Sequence, residues 1–444
     1  MPDHDGREPP HGRMSVLQGV AFIVGIVVGI GIFKSPQLVA QSVTSEAAFI
    51  SLWVVGGLIT LVGALVYAEL GSSYPSGGGE YHFLSRAFGR PVGLLFAWAR
   101  VTVLQTGIIA AVAFVFGDYA QQLVPLGPHG TAIHAALALS ILTLVNLLGS
   151  PLGKGFQLAL TSLTLTAVVA VLVAGLCLAP PRIATAPSDP ATAAIGFALV
   201  FVLLTYGGWS EIAYLSGDLK DVRRNMVRVL VIATVVITMI YVLMNLAYLN
   251  VLGLDGTRKS GAVGADALRK VAGPHGGIAL ALVISCAALS ALNGTIFTGA
   301  RLYRAVGNDL PLLKRLRLDA SRDGNPTVAF AAQGAVAMAL IVFGAMTRDG
   351  FQAMVAYTAP VFWLFLLLVG ISYFILHRRE PDQEQPFRAP FYPFTPALFC
   401  LTCVYLLYAS LVYTGRGALL GVAVLLIGVP VVWLAMPRKT TKRP

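Results

Sequence analysis

Apolar runs of bilayer-spanning length recur along the chain, each bounded by short stretches of glycine, proline and charged residues. A helix crosses the hydrocarbon core with about 20 predominantly apolar residues. By that measure twelve runs qualify, at 15–42, 47–71, 92–123, 131–149, 155–178, 192–216, 227–252, 277–303, 326–346, 352–376, 394–413 and 416–435. Several exceed the minimum, which predicts tilt or projection beyond the membrane. Residues 1–14 are polar and proline-rich and read as a cytoplasmic tail, with 436–444 as a second. No apolar region with a small-residue cleavage site precedes the first run, so a removable leader is not expected.

Composition agrees with the pattern. Apolar residues make up 57% of the chain and charged residues 11%, with a mean hydropathy of +0.78. Soluble domains carry about 25% charged residues, so a water-exposed globular surface is excluded. The net charge of +11 first suggests a nucleic-acid partner. Its distribution removes that reading, because the basic residues concentrate in alternate segments between runs, including Lys220–Arg228 and Arg301–Arg322. Basic residues flank the cytoplasmic ends of membrane helices, which predicts both termini in the cytoplasm and a multi-pass protein of the plasma (inner) membrane.

Cys177, Cys286, Cys400 and Cys403 all lie inside apolar runs, so no disulfide framework is expected. Cys400 and Cys403 form a C-x-x-C one turn apart with no second ligand pair, and free cysteine is commonly a small buried hydrophobe. The stretch 149–155 has one residue too few for a phosphate-binding loop and lacks the hydroxyl after Lys154. No cofactor, metal centre or nucleic acid is expected; lipid is the solvent.

Two runs are interrupted. The first reads Ile26-Val27-Val28-Gly29-Ile30-Gly31-Ile32-Phe33 and then Pro36; the sixth reads Leu203-Leu204-Thr205-Tyr206-Gly207-Gly208-Trp209-Ser210. Each glycine in a helix interior costs about 1 kcal/mol relative to alanine. Non-helical backbone at bilayer depth persists where it is buried in protein or lines a cavity, and transporters use such breaks to offer backbone groups to a substrate. Glycine also serves close helix packing. Two such pairs, at matching positions of two five-run halves, favour a binding site.

These residues carry a resemblance. Gly29-Ile30-Gly31-Ile32-Phe33-Lys34-Ser35-Pro36 resembles the G-x-G-I-F-x-S-P signature of the amino acid–polyamine–organocation (APC) superfamily, and more narrowly its L-type amino acid transporter branch. Tyr67-Ala68-Glu69-Leu70-Gly71, Gly78-Gly79-Glu80-Tyr81, Tyr206-Gly207-Gly208-Trp209, Asp221-Val222-Arg223-Arg224-Asn225, Asn293–Arg301 and Pro386-Phe387-Arg388-Ala389-Pro390 follow in the branch's order. The resemblance implies an all-α integral membrane protein of twelve transmembrane helices with the LeuT-type five-plus-five inverted repeat. The first repeat would span 15–178, the second 192–376, and two peripheral helices 394–435, with helices one and six broken.

By the same resemblance the substrate's α-carboxylate meets the N–H groups of Ile30 and Gly31. Its α-ammonium meets the carbonyls of Val27 and Leu204, with Gly207, and Gly29 and Ser210 complete the two unwound stretches. The implied activity is secondary active transport of amino acids by alternating access, as an exchanger or an ion-coupled symporter. Leu204 stands where the branch often has an aromatic gate, and Ile30 where it often has serine. That apolar lining points to neutral L-amino acids. A membrane enzyme would need a nucleophile–base pair or a metal cluster, and a channel a continuous polar lining; neither pattern is present.

Ionisable groups inside membrane spans are expensive and read first as functional. Glu69 is expected to tie the second helix to a loop, and Arg100 to snorkel toward the cytoplasm or contact substrate. Glu211 faces either the cavity or the outer vestibule, which keeps open a second reading: transport of cationic amino acids or amines. Lys34 just past the first break is a further candidate. Sodium-coupled relatives build a cation site from eighth-helix hydroxyls and first-helix carbonyls, here Ser290 and Val27. Thr164 stands where many proton-coupled or exchanging relatives carry a lysine, so H+ and Na+ both remain open as the coupling ion. Branch members that bind a single-span subunit have a cysteine between helices three and four. Residues 123–130 contain none, so no disulfide-linked partner is expected.

Overall fold

The computed structural model describes residues 14–76, 78–148, 154–179, 194–211, 213, 219–309, 327–413 and 415–435. Apart from Met14, both expected tails lie outside the described residues, as does most of the 149–155 stretch. The first apolar run folds as two helices, α1 (Val16–Val27) and α2 (Ser35–Gln41), joined by a 3-10 turn at Ile30–Phe33. Ser15 starts α1 with a reciprocal capping box to Gln18. Gly29 leaves helical geometry for an extended conformation. Pro36 then sits in the first turn of α2, where its missing N–H would have had no helical partner.

The second run is α3 (Glu46–Ser73), capped by Ser45, and a short helix follows as α4 (Gly79–Phe88). The third run is α5 (Arg90–Ala99), a π segment (Arg100–Leu104) and α6 (Gln105–Leu123). Next come α7 (Gly130–Leu147), α8 (Lys154–Cys177) and α9 (Ile195–Thr205). After α9 the chain turns through Gly208, whose φ of +106° is open to glycine but strained for other residues, into a 3-10 turn over 209–211. The second half continues with α10 (Val222–Lys259), α11 (Val263–Asp309), α12 (Thr327–Ala345), α13 (Gly350–Arg379), α14 (Phe394–Tyr413) and α15 (Arg416–Ala435).

The long α10 and α11 are bent where sequence alone ends the runs at 252 and resumes them at 277. Gly253 (φ 74°) kinks α10, and Gly273 (φ 71°) before Pro274 kinks α11. The intervening polar residues are therefore mostly two short helical pieces, joined by a bend at 260–262.

Among the described residues ten helices are long and apolar enough to cross a membrane, and Leu163–Cys177 and Ile195–Glu211 are shorter apolar helices. The chain is an all-helical, multi-pass integral membrane protein. Large apolar side chains such as Leu137, Leu401, Tyr408, Leu426 and Trp433 are exposed on the outside of the bundle, where lipid replaces water. The interior is built around α10, which lies against α1, α3 and α8, and around α6, which lies against α7, α11 and α13. On the face where the chain begins, Met14 pairs with Leu219, and the Lys220 N–H donates to the Met14 carbonyl at 3.0 Å. On a loop surface the Arg86 guanidinium grips Glu380 with both oxygens (2.8–3.2 Å). This hydrogen bonding holds the Glu380 carboxyl below the usual carboxylate range.

Candidate functional site

The two breaks touch. A Cβ built on Gly31 would lie 3.4 Å from Thr205 Cγ2, and one on Gly208 would lie 2.9 Å from Ile26 Cγ2. Thus the start of the turn after α1 faces the end of α9, and the turn after α9 faces the end of α1. The Thr205 hydroxyl donates to the Phe201 carbonyl (2.7 Å) and lies 2.6 Å from the Ser35 hydroxyl. Gly29, Gly31, Leu204 and Gly207 keep partial access amid buried Val27, Ile30, Thr205 and Ser210. The structure therefore brings the sequence-identified residues of both broken runs into one locus.

Backbone polarity at this locus is uneven. The first N–H groups of a helical turn lack partners inside it, which leaves Ile30 and Gly31 as donors at the mouth of their turn. The carbonyls are more occupied than sequence suggests. Val27 O accepts the Gly29 N–H at 2.7 Å and the Tyr241 hydroxyl at 2.6 Å. Leu204 O accepts the Gly207 N–H at 3.0 Å. Tyr241 also lies 3.0 Å from the Thr205 carbonyl, so one phenol bridges the ends of α1 and α9. Behind it Trp53, Tyr206 and Tyr241 stack edge-on, with ring centroids 4.9–6.4 Å apart. Tyr241→Phe removes a fully buried hydroxyl from two carbonyls and is expected to cost about 1–3 kcal/mol, read as a lowered unfolding midpoint of the purified protein.

The charged residues are paired. Arg100, at the first position of the π segment, donates to Glu211 at 2.6 Å; π segments inside helices often mark functional sites. Its guanidinium is thus engaged by a carboxylate near the sixth-run break. Glu69 accepts the Ala389 N–H and the Tyr373 hydroxyl, both at 2.6 Å, so it ties α3 to the segment before α14 and to α13.

Lys34, almost fully buried, lies 2.9 Å from both Asp118 on α6 and Asp349 at the start of α13. Nothing in the sequence links these three, although Asp118 and Asp349 each stand at the end of an apolar run. The same side of the breaks is clasped elsewhere. Tyr119 donates to the Phe33 carbonyl at 2.9 Å, and Arg258 donates to the Ala40 and Val43 carbonyls at the end of α2. On the other side, Phe22 and Ile26 of α1 are about two-fifths exposed, and nothing lies within 4 Å of a Cβ built on Gly25. The α2 half of the first run is locked into the bundle, and the α1 half borders open space.

For the candidate coupling residues, α11 packs against α8 and against the turn at Ile30–Phe33. Ser285 and Ser290 on α11 are buried with hydroxyls that have no hydrogen-bond partner. Thr164 is half-buried on α8. The described residues hold no group of three or more His, Cys, Asp or Glu side chains suited to a metal ion.

The amino acid permease family profile matches residues 14–436. The b(0,+)-type amino acid transporter 1 of Rattus norvegicus is 28% identical over 410 residues, covering 90% of this chain and 82% of that protein. The serine/threonine exchanger SteT of Bacillus subtilis (strain 168) is 26% identical over 435 residues, covering 97% and 98%. The cystine/glutamate transporter of Homo sapiens is 24% identical over 460 residues, covering 99% and 90%. With the broken runs in contact and the profile matched along nearly its whole length, the chain belongs to the amino acid permease family of the APC superfamily.

Proposed function

We propose that this permease is a secondary active transporter of neutral L-amino acids in the plasma (inner) membrane, working by alternating access as an exchanger or ion-coupled symporter. Membership of a permease family makes it a transporter and not an enzyme. The observation that carries the substrate reading is the contact of the two breaks, Gly31 on Thr205 and Gly208 on Ile26. A zwitterion offers one charge of each sign. Its carboxylate takes the N–H groups of Ile30 and Gly31, and its ammonium takes the carbonyl ends of α1 and α9, where helix polarity favours a cation. Because Val27 O already carries two donors, the Tyr241 hydroxyl turns away as the ammonium arrives. The neutral class is favoured over a cationic one because Glu211 is engaged by Arg100.

The proposed architecture has twelve spans: repeats at 15–178 and 192–376, peripheral helices at 394–435, both termini cytoplasmic, and no disulfide-linked subunit. The clasped α2 half and exposed α1 half support reading this conformation as open toward the cytoplasm. Coupling falls to H+ or to Na+ held near Val27, Ser290 and Thr164. The unpartnered Ser290 hydroxyl supports the sodium arm.

Uptake into proteoliposomes, with a panel of labelled amino acids under separate Na+ and pH gradients, tests substrate and coupling together. Gly31→Val is expected to abolish uptake while leaving a monodisperse, folded protein. The Cβ already reaches van der Waals contact with Thr205, so the two added methyls fill the approach to the N–H groups. Undiminished uptake by that variant would remove the proposed site.

A further inference from the structure

A small cavity lies away from the breaks, between the ends of α3 and α13 and the segment leading to α14. Glu69, Ser73, Tyr74, Tyr373, His377 and Gln385 contribute its polar walls, and it has room for about one water-sized guest. Three oxygens on its wall have coordinating capacity to spare. Ser73 Oγ and Gln385 Oε1 are buried without a hydrogen bond, and Ser73 is 5% exposed. The third is Glu69 Oε1. Both strong donors to that carboxylate, Tyr373 and Ala389, bond Oε2, and Oε1 has only His377 Nδ1 at 4.0 Å.

His377 Nδ1 lies 4.0 Å from Glu69 Oε1, beyond hydrogen-bond distance, and faces the Gln385 side-chain amide at 3.2 Å. Among the described residues no lysine or arginine comes within 4 Å of Glu69, and Arg388 in the neighbouring segment is exposed. A carboxylate buried to this degree needs a counter-charge or a coordinated cation, and the unpartnered Ser73 and Gln385 oxygens stand beside it.

We infer that this cavity is a binding site for one small hard monovalent cation, Na+ or K+, coordinated by Glu69, Ser73 and Gln385. Divalent ions fit less well, since Mg2+ and Ca2+ sites usually carry more than one carboxylate and this cavity has one. The bound ion would fasten α3 to α13 at the α1 side of the protein, and the inference holds whichever substrate is carried.

The test is thermal unfolding of the full-length protein in detergent, in NaCl, KCl or choline chloride at equal ionic strength. At least one alkali cation is expected to raise the midpoint saturably by about 2–5 °C over choline. The rise should vanish in Ser73→Ala and in Gln385→Leu, each first checked for a monodisperse elution profile in choline. Equal midpoints in the three salts would mean that the cavity holds water only and would overturn the proposal. A rise that persists at full size in both variants would overturn it too, since the ion would then act elsewhere, for example near Ser290. The readout involves no transport, so failure here leaves the transport reading untouched, and failure of that reading leaves this one standing.

Discussion

Lys34→Met is expected to be among the most damaging single substitutions in this protein. The ammonium lies 2.9 Å from Asp118 and 2.9 Å from Asp349, with a side chain 4% exposed. Removing it leaves two carboxylates facing one another in a site from which most water is excluded. Breaking a buried ion pair by deleting one partner costs about 3–5 kcal/mol, and here two pairs lose the same partner. The unfolding midpoint of the purified variant should fall steeply. Replacing all three residues, as Lys34→Met with Asp118→Asn and Asp349→Asn, should recover most of the loss, because no charge remains uncompensated. Asparagine at 349 retains a side-chain oxygen to cap α13, where Asp349 accepts the Gln352 N–H at 2.9 Å. A Lys34→Met protein as stable as the parent would show that the cluster is not a closed ion network. The triad joins α2 to α6 and α13, so its loss should also free the α2 half of the first run, and cysteines introduced along α2 should then react faster with a membrane-impermeant thiol reagent.

The sequence made the breaks legible and their surroundings opaque, for a physical reason. A glycine pair in the middle of an apolar run is a local signal: it is costly in a helix and needs a compensating use, so Gly29, Gly31, Gly207 and Gly208 could be marked without knowing any neighbour. Span positions were legible for the same reason, since hydropathy is local. Tyr241 gives no such signal. It is one aromatic residue in an apolar run, and only the approach of α10 to both breaks turns its hydroxyl into a bridge between Val27 and Thr205. Lys34, Asp118 and Asp349 are visible as charges near run ends, but their meeting depends on how α2, α6 and α13 pack. Arg100 and Glu211 could each be flagged from intramembrane charge, but not as a pair, because the two lie 111 positions apart. The polar stretch between runs seven and eight misled differently. Gly253 and Gly273 lie between the apolar runs, yet each is a kink within a helix.

On the proposed reading, the Arg100–Glu211 pair also sets the charge of the substrate, and the expected result is a preference for zwitterions with uncharged side chains. With Glu211 held at 2.6 Å by Arg100, its carboxylate is not free to receive a cationic side chain. The backbone groups of Ile30, Gly31 and the two helix ends then need both charges of an α-amino acid. A decarboxylated amine leaves the N–H groups unpaired in a partly desolvated site, at about 1–3 kcal/mol. Since about 1.4 kcal/mol is a factor of ten in affinity, the amine should compete at least about tenfold more weakly than its parent. The methyl ester should fail for the same reason. Arginine should be a poor competitor in the parent protein and a better one in Arg100→Gln, where Glu211 is released. A charge-assisted hydrogen bond contributes about 1.5–3 kcal/mol, which corresponds to a gain of about ten- to a hundredfold for arginine over a neutral amino acid in that variant. Competition against labelled substrate in proteoliposomes measures all of these with one assay. If the amine or arginine outcompetes every neutral amino acid in the parent protein, Glu211 is free in the working transporter, and the substrate is a cation.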